Sequence, residues 1–113
     1  MTSRKTVLIV EDNLVSRRLL RQILQDDYDV LEAENGREGL ECLRNQGDRV
    51  KAVVLDLVMP IMDGYSFLSE VRGEAEGRSL PIIVSTGAED GEAERRALQL
   101  GAWDFVPKPY EPE

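Results

Sequence analysis

Three short, almost wholly apolar runs rich in β-branched residues most constrain the fold of this chain. They occupy residues 7–10, 52–55 and 82–84. A continuous apolar run of this length is typical of a strand in a parallel sheet, because both faces of that strand are covered. Residues 28–33 alternate between polar and apolar and predict an edge or half-covered strand, and residues 103–106 predict a fifth strand.

The segment between the predicted strands at residues 7–10 and 28–33 has the pattern of an amphipathic helix, with Asn13 as its N-cap. Its apolar stripe follows helical spacing and comprises Val15, Leu19, Leu20, Ile23 and Leu24. Its arginines are predicted on the other side and are Arg17, Arg18 and Arg21.

Three further helices are predicted between the remaining strands. The second begins with an Asn-x-x-Glu capping box at Asn35, and Gly47 is expected to close it in a left-handed turn. The third begins near Asp63-Gly64, with Asp63 as its N-cap and Gly64 as a turn residue. It directs three apolar side chains inward: Phe67, Leu68 and Val71. The fourth runs from about residue 89 to residue 100 and ends at Gly101.

Strands that alternate with helices predict an α/β domain with a parallel sheet and right-handed crossovers. Five strands fit the flavodoxin-like, doubly wound order 2-1-3-4-5. The first and third strands are neighbours in that order, and such folds bind ligands where these two strands end. Functional residues are therefore expected directly after Val10 and Leu55.

Acidic residues occupy both of those positions, since Glu11 and Asp12 follow the first strand and Asp56 ends the third. Three converging carboxylates repel one another unless a cation shares them, and Mg²⁺ suits oxygen ligands of this kind. The fourth strand ends at Thr86 and the fifth at Lys108, which adds a hydroxyl and an ammonium group. A carboxylate nucleophile, a metal, a hydroxyl and a lysine together favour phosphoryl transfer.

Composition excludes several other kinds of chemistry. The 113 residues predict one domain, and the absence of histidine excludes a His-dependent catalytic triad or zinc site. A net charge of −8 argues against direct binding to nucleic acid or anionic membranes. The single Cys42 and the lack of a long apolar segment near the start predict a cytoplasmic location.

The chain resembles the receiver domain of bacterial two-component response regulators. The resemblance runs from the first strand to Lys108-Pro109 and depends on four motifs: Glu11-Asp12, the segment Asp56-Leu-Val-Met-Pro-Ile-Met-Asp-Gly64, Ser85-Thr86-Gly87, and Lys108-Pro109. It implies that Asp56 accepts a phosphoryl group from a phosphohistidine of a sensor histidine kinase or phosphotransfer protein. It further implies that Mg²⁺, with Mn²⁺ as the alternative ion, is held by Glu11, Asp12, Asp56 and the Val58 carbonyl.

The same resemblance implies a conformational switch rather than an enzyme with an external substrate. Lys108 would pair with the phosphoryl oxygens, the Thr86 hydroxyl would bond another of them, and Phe105 would move inward. The face formed by the fourth helix and fifth strand would then select an output domain or effector protein. The domain would catalyse only its own phosphorylation and dephosphorylation.

Residues 1–113 are expected to be a single receiver domain cut from a longer multidomain response regulator or hybrid protein. Receivers continue into a fifth helix after the Lys-Pro pair, but here only residues 110–113 follow, with Pro112 among them. The fifth helix is therefore expected to be missing or truncated, leaving an exposed apolar strip beside the first helix. That strip, and the face of the fourth helix and fifth strand, are the candidate surfaces for a homodimer.

Three alternative functions share part of this pattern. A haloacid-dehalogenase-like phosphatase also uses an aspartate, Mg²⁺, a hydroxyl and a lysine, but it has an acid or base at the position of Val58 and needs room for a cap domain. A flavodoxin-like cofactor carrier needs a phosphate-binding loop where Glu11 and Asp12 stand. A degenerate receiver that only binds partners would have lost part of the set that is intact here.

Overall fold

The computed structural model describes residues 4–57, 59, 61–74, 79–87 and 91–108, with the backbone alone at residues 47, 86, 87, 107 and 108. Strands and helices alternate along the chain. The strands are β1 Thr6–Val10, β2 Asp29–Ala33, β3 Val50–Asp56, β4 Ile82–Gly87 and β5 Asp104–Lys108. The helices are α1 Leu14–Leu24, α2 Gly36–Gln46, α3 Gly64–Gly73 and α4 Gly91–Gln99.

The five strands form one parallel sheet in the order β2-β1-β3-β4-β5, which confirms the predicted doubly wound, flavodoxin-like fold. The inner strand β1 is buried along its whole length, whereas β2 lies at an edge and is mostly exposed or half-buried. This difference explains why β1 has a continuous apolar sequence and β2 an alternating one. In β1 and β3, Val10 pairs with Leu55, so the residues that follow them lie at the same edge of the sheet.

One side of the sheet carries the main hydrophobic core. Side chains of β1, β3 and β4 pack there against Phe67 and Leu68 of α3, both with no exposed surface, and against Leu40 of α2 and Ala97 of α4. This is called the α2–α4 side below. The prediction that α3 directs Phe67, Leu68 and Val71 inward is confirmed.

The predicted N-caps of α1, α2 and α3 are present. The side-chain oxygens of Asn13, Asn35 and Asp63 each accept a hydrogen bond from the backbone N–H three residues later, at 2.9 Å. Each bond satisfies a donor that the first turn of a helix leaves without a partner. The second half of the predicted capping box differs, because Glu38 accepts from the backbone N–H of Glu34 rather than of Asn35.

Helix α1 packs on the other side of the sheet, against β1 and β2, and this is called the α1 side. Leu20 is its one buried residue, while Val15 is 67% and Ile23 41% exposed. The side chain of Arg17, which the sequence places on the polar side, is only 11% exposed. The buried side of α1 therefore overlaps the apolar stripe only in part, because Leu20 is buried whereas Val15 and Ile23 are exposed.

Two other predictions about the backbone have different outcomes. Gly101 ends α4 with a positive φ of 110°, as expected for a helix terminator. The prediction of a left-handed turn at Gly47 is wrong, because this residue begins a 3₁₀ turn, Gly47–Arg49, between α2 and β3. The prediction of a missing fifth helix concerns residues that lie outside the described ones. Within the described ranges, every helix is too short or too polar to cross a bilayer.

Candidate functional site

Three carboxylates meet at the carboxyl edge of the sheet, where β1 and β3 end. One oxygen from each of Glu11, Asp12 and Asp56 lies within 4.8 Å of the other two. Glu11 is 1% and Asp56 6% exposed, whereas Asp12 is open to solvent. The parallel pairing of β1 with β3 produces this convergence, because it aligns the ends of two strands that are 40 or more residues apart in sequence.

The buried Glu11 is held by the backbone on both sides. Its N–H donates to the carbonyl of Ala33 at 3.0 Å, which extends the pairing of β1 with β2 by one residue. Its carboxylate oxygen Oε2 accepts from the backbone N–H of Asn13 at 3.1 Å. These two bonds fix the direction of the side chain at the point where the chain leaves the strand.

The loop between β3 and α3 is folded tightly behind Asp56. The N–H of Gly64 donates to the carbonyl of Leu57 at 2.9 Å, and the N–H of Gly36 donates to the carbonyl of Met62 at 3.0 Å. A Cβ at Gly64 would lie 2.5 Å from the carbonyl oxygen of Asp56, so only glycine permits this approach. Gly64 was expected to serve as a turn residue, but its role is to let α3 begin against the end of β3.

The other predicted site residues are placed to different extents. Thr86 and Lys108 lie near the ends of β4 and β5, at the same edge of the sheet as Asp56, but their side chains are outside what is described. Val58 lies outside the described residues altogether. Phe105 is half-buried on β5 and packs against the main core.

The sequence did not identify Arg17 as part of this region. Its guanidinium donates from Nη1 to the carbonyl oxygen of Glu11 at 3.0 Å and to that of Asp12 at 3.5 Å. From Nε it also donates to the carboxylate of Glu32 on β2, at 2.9 Å. One signal could have suggested this: Arg17 lies one helical turn after the cap Asn13, a spacing that returns a long side chain toward the end of β1.

Glu32 receives a second arginine, Arg21, at its other carboxylate oxygen. Burial by itself would raise the pKa of Glu32, but the hydrogen bonds and positive charges of Arg21 and Arg17 hold that pKa below its ordinary value. Glu32 is therefore a carboxylate at neutral pH and anchors both guanidinium groups.

The carboxylate cluster fits a hard, oxygen-liganded cation. Mg²⁺ commonly binds one or two carboxylates, retains several water molecules and contacts phosphate oxygens. Asp12 is the solvent-exposed member of the cluster, so a bound cation would keep its water ligands on that side. The residues present therefore match the ligand requirements of a Mg²⁺ site.

A family model described as the response regulator receiver domain matches residues 7–113. Among curated proteins, the chain is 38% identical over 109 residues to the sensor histidine kinase CheAY of Helicobacter pylori, which covers 95% of the chain. The chain spans only 13% of that kinase, and between 13% and 45% of four such relatives. The match to the kinase therefore concerns one domain of a longer protein.

Solved structures give the same result. A putative response regulator from Chloroflexus aurantiacus is 31% identical, with a TM-score of 0.91, and the match covers 97% of this chain and 89% of that one. The receiver domain of the sensor histidine kinase PA1611 from Pseudomonas aeruginosa, solved with a magnesium ion coordinated in its active-site cleft, is 31% identical, with a TM-score of 0.81 and coverage of 96% and 88%.

The family model covers nearly the whole chain and favours a receiver domain over a phosphatase or a flavodoxin-like carrier. Receiver domains act with sensor histidine kinases and output domains. One solved relative is described as a response regulator/GGDEF domain protein, and this chain covers 44% of it. The acidic cluster, the strand order and the family match lead to one conclusion: the chain belongs to the response regulator receiver domain family of two-component signalling.

Proposed function

We propose that this domain is a phosphorylation-controlled switch in which Asp56 accepts a phosphoryl group in a Mg²⁺-dependent reaction. The observation that carries the proposal is the convergence of Glu11, Asp12 and Asp56 within 4.8 Å at the carboxyl edge of the sheet. An aspartate is a poor strand residue, and three carboxylates this close repel one another unless a cation shares them. A function at Asp56 explains why the sequence places this residue at the end of a central strand.

The proposed reaction needs a nucleophile, an open approach and charge neutralisation. A carboxylate oxygen of Asp56 attacks the phosphorus of the donor, an acyl phosphate bond forms, and the bond between phosphorus and the donor atom breaks. With a phosphohistidine donor, the imidazole leaves with the electron pair of the broken P–N bond and is protonated by solvent. Mg²⁺ held by Glu11, Asp12, Asp56 and the Val58 carbonyl would neutralise charge on the carboxylates and phosphoryl oxygens.

The remaining proposed roles depend on the strand ends. Lys108 at the end of β5 would bind phosphoryl oxygens, and the Thr86 hydroxyl at the end of β4 would bond to another of them. Phe105 is half-buried beside the core and would move further inward, into the space that the Thr86 side chain vacates. Such a movement would change the face formed by α4 and β5 and would thereby signal to an output domain or effector protein.

A direct test is intact-mass measurement after incubation with acetyl phosphate. We expect one phosphoryl adduct in the wild type with Mg²⁺, formed with release of acetate. The adduct should disappear when the cation is chelated and when Asp56 is replaced in Asp56→Asn. The variant Asp63→Asn is a matched control, because it removes a nearby aspartate while preserving an N-cap oxygen for α3.

An adduct on Asp56→Asn, or one that forms equally well after chelation, would contradict the proposal. Absence of any adduct from the folded wild type would instead indicate a degenerate receiver that only binds partners. Phosphotransfer from a histidine kinase to the wild type and not to Asp56→Asn would extend the result to the protein donor.

A further inference from the structure

Arg17 is bonded to the main chain that carries two of the three acidic residues. Its guanidinium donates at 3.0 Å to the carbonyl oxygen of Glu11 and at 3.5 Å to that of Asp12. The same loop bonds to the start of α1, since the Asn13 N–H contacts the Glu11 carboxylate and the Arg17 N–H donates to the Asn13 carbonyl at 3.0 Å. Arg17 and the N-cap Asn13 therefore both bond to the segment Glu11-Asp12, which is called the acidic loop below.

Glu32 holds that arginine in place from the neighbouring strand. Arg17 donates from Nε to Glu32 at 2.9 Å, so its two ends contact β2 and the acidic loop at the same time. Its side chain is 11% exposed, which is low for an arginine on a surface helix. A planar guanidinium can serve two partners in fixed directions, and the flexible ammonium of a lysine cannot reproduce that geometry.

We propose that Arg17, anchored by Glu32, is a positioning residue that fixes the backbone of Glu11 and Asp12 for divalent-cation binding. The inference depends on the cation site of the proposed function. Toward the acidic cluster Arg17 donates to the carbonyl oxygens of Glu11 and Asp12, and the carboxylate that it binds is that of Glu32. It acts by limiting the directions from which the two acidic side chains leave the backbone, as partners of metal ligands do elsewhere.

A purely electrostatic role for Arg17 and a positioning role would have opposite effects on Mg²⁺ binding. Arg17 carries a positive charge near the cation site, so removing that charge should by itself strengthen binding of Mg²⁺. Loss of positioning should weaken it. The two explanations therefore predict opposite signs for the same substitution.

The test is isothermal titration of Mg²⁺ into the unphosphorylated domain at constant ionic strength, with Arg17→Gln compared with Arg18→Gln. Arg18 is the next residue on α1 and is exposed, so Arg18→Gln removes the same charge from the same helix turn. We expect Arg17→Gln to raise the Kd for Mg²⁺ about tenfold, the lower end of the range for such supporting residues. Arg18→Gln should leave the Kd within about twofold of the wild type, because exposed charges are screened.

A second variant, Arg17→Lys, keeps the charge and removes the planar fork. We expect it to bind Mg²⁺ more weakly than the wild type, and it carries the test alone if Arg17→Gln does not fold. Urea unfolding of each variant provides the structural readout, because a purely structural role would lower the free energy of unfolding and leave the Kd of the folded domain unchanged.

Three results would overturn the inference. They are an equal or lower Kd in Arg17→Gln than in Arg18→Gln, a wild-type Kd in Arg17→Lys, and a loss of stability with no change in the Kd. Failure of the wild type to bind Mg²⁺ would remove the cation site as well, and so would be recognised as failure of the proposed function.

Discussion

The two sides of the sheet are stabilised by different interactions. On the α2–α4 side, Phe67 and Leu68 are completely buried, and Gly39 of α2 lies so close that an added Cβ would be 2.8 Å from the Phe67 ring. On the α1 side, the helix buries only Leu20, and two of its arginines bind Glu32 of the edge strand. One side depends on close apolar packing and the other on charged hydrogen bonds.

This difference predicts how each side responds to change. Apolar packing in a closed core responds to the volume of a single side chain, because cavities and overlaps are both costly. Partly exposed ion pairs contribute much less, since water and salt screen them and long side chains lose entropy when they are fixed.

Phe67→Ala tests the packed side most strongly. Phe67 has no exposed surface and contacts α2 and the sheet, so its removal should lower the free energy of unfolding by about 3–5 kcal/mol, as measured by urea denaturation. Val15→Ala on α1 is the comparison, because Val15 is 67% exposed and should change stability by less than about 0.5 kcal/mol. Similar losses in the two variants would mean that the two sides do not differ as described.

Gly39→Ala tests whether the packed side can accept a single methyl group. The new Cβ would lie 2.8 Å from the Phe67 ring and 3.0 Å from a Val10 methyl group. We expect a net loss of about 1–2 kcal/mol in urea unfolding, because the overlap exceeds the gain in helix propensity.

Gly73→Ala in α3 is the matched control for that substitution, since an added Cβ there meets nothing within 4 Å. It should be neutral or increase stability by up to about 1 kcal/mol. A stabilising Gly39→Ala would show that the α2–α4 side can relax more than its packing indicates.

Ile61→Gly tests a position where backbone conformation, and not packing on either side of the sheet, should decide the effect on stability. Ile61 lies in the loop after Asp56, has a positive φ of 69° and is 72% exposed. A left-handed conformation is unfavourable for a β-branched residue, so glycine should raise the free energy of unfolding by about 1 kcal/mol. Ile61→Val keeps the branched Cβ and should leave stability unchanged; equal behaviour of the two variants would argue against strain at this residue.

Glu32→Gln tests the charged side and should have the smallest effect. The lowered pKa of Glu32 means that its ionised form stabilises the folded state above the ordinary value of 4.5, and that this contribution is lost as the pH falls through the lower folded value. At pH 7 the substitution should cost about 0.5–1 kcal/mol, allowing for solvent screening.

The difference between Glu32→Gln and the wild type should shrink in acid, where both side chains are neutral, and thermal unfolding across the acid range measures it. Glu92→Gln is the control, because the Glu92 side chain is 87% exposed beside Arg95 and should have no measurable effect. A difference at Glu32 that persists in acid would indicate packing as its cause instead of charge.

Much of the site could be predicted from the sequence because it depends on strand ends. The apolar runs identified β1, β3 and β4, the strand order followed from the alternation with helices, and that order placed Glu11, Asp12 and Asp56 together. The caps at Asn13, Asn35 and Asp63 were equally predictable, because a cap is a local interaction between neighbours in sequence. The roles of Thr86, Lys108, Val58 and Phe105 stay predictions.

The sequence by itself therefore determined the element order, the fold and the positions of the acidic residues, since these depend on periodicity and on short-range interactions. Only the tertiary structure decided which side of α1 is buried, that Arg17 reaches both Glu32 and the backbone of Glu11, and that Gly64 lies against Asp56. The physical reason is that a long side chain or a close backbone approach depends on partners from distant segments. Helical spacing alone does not specify which of several amphipathic orientations those partners will favour.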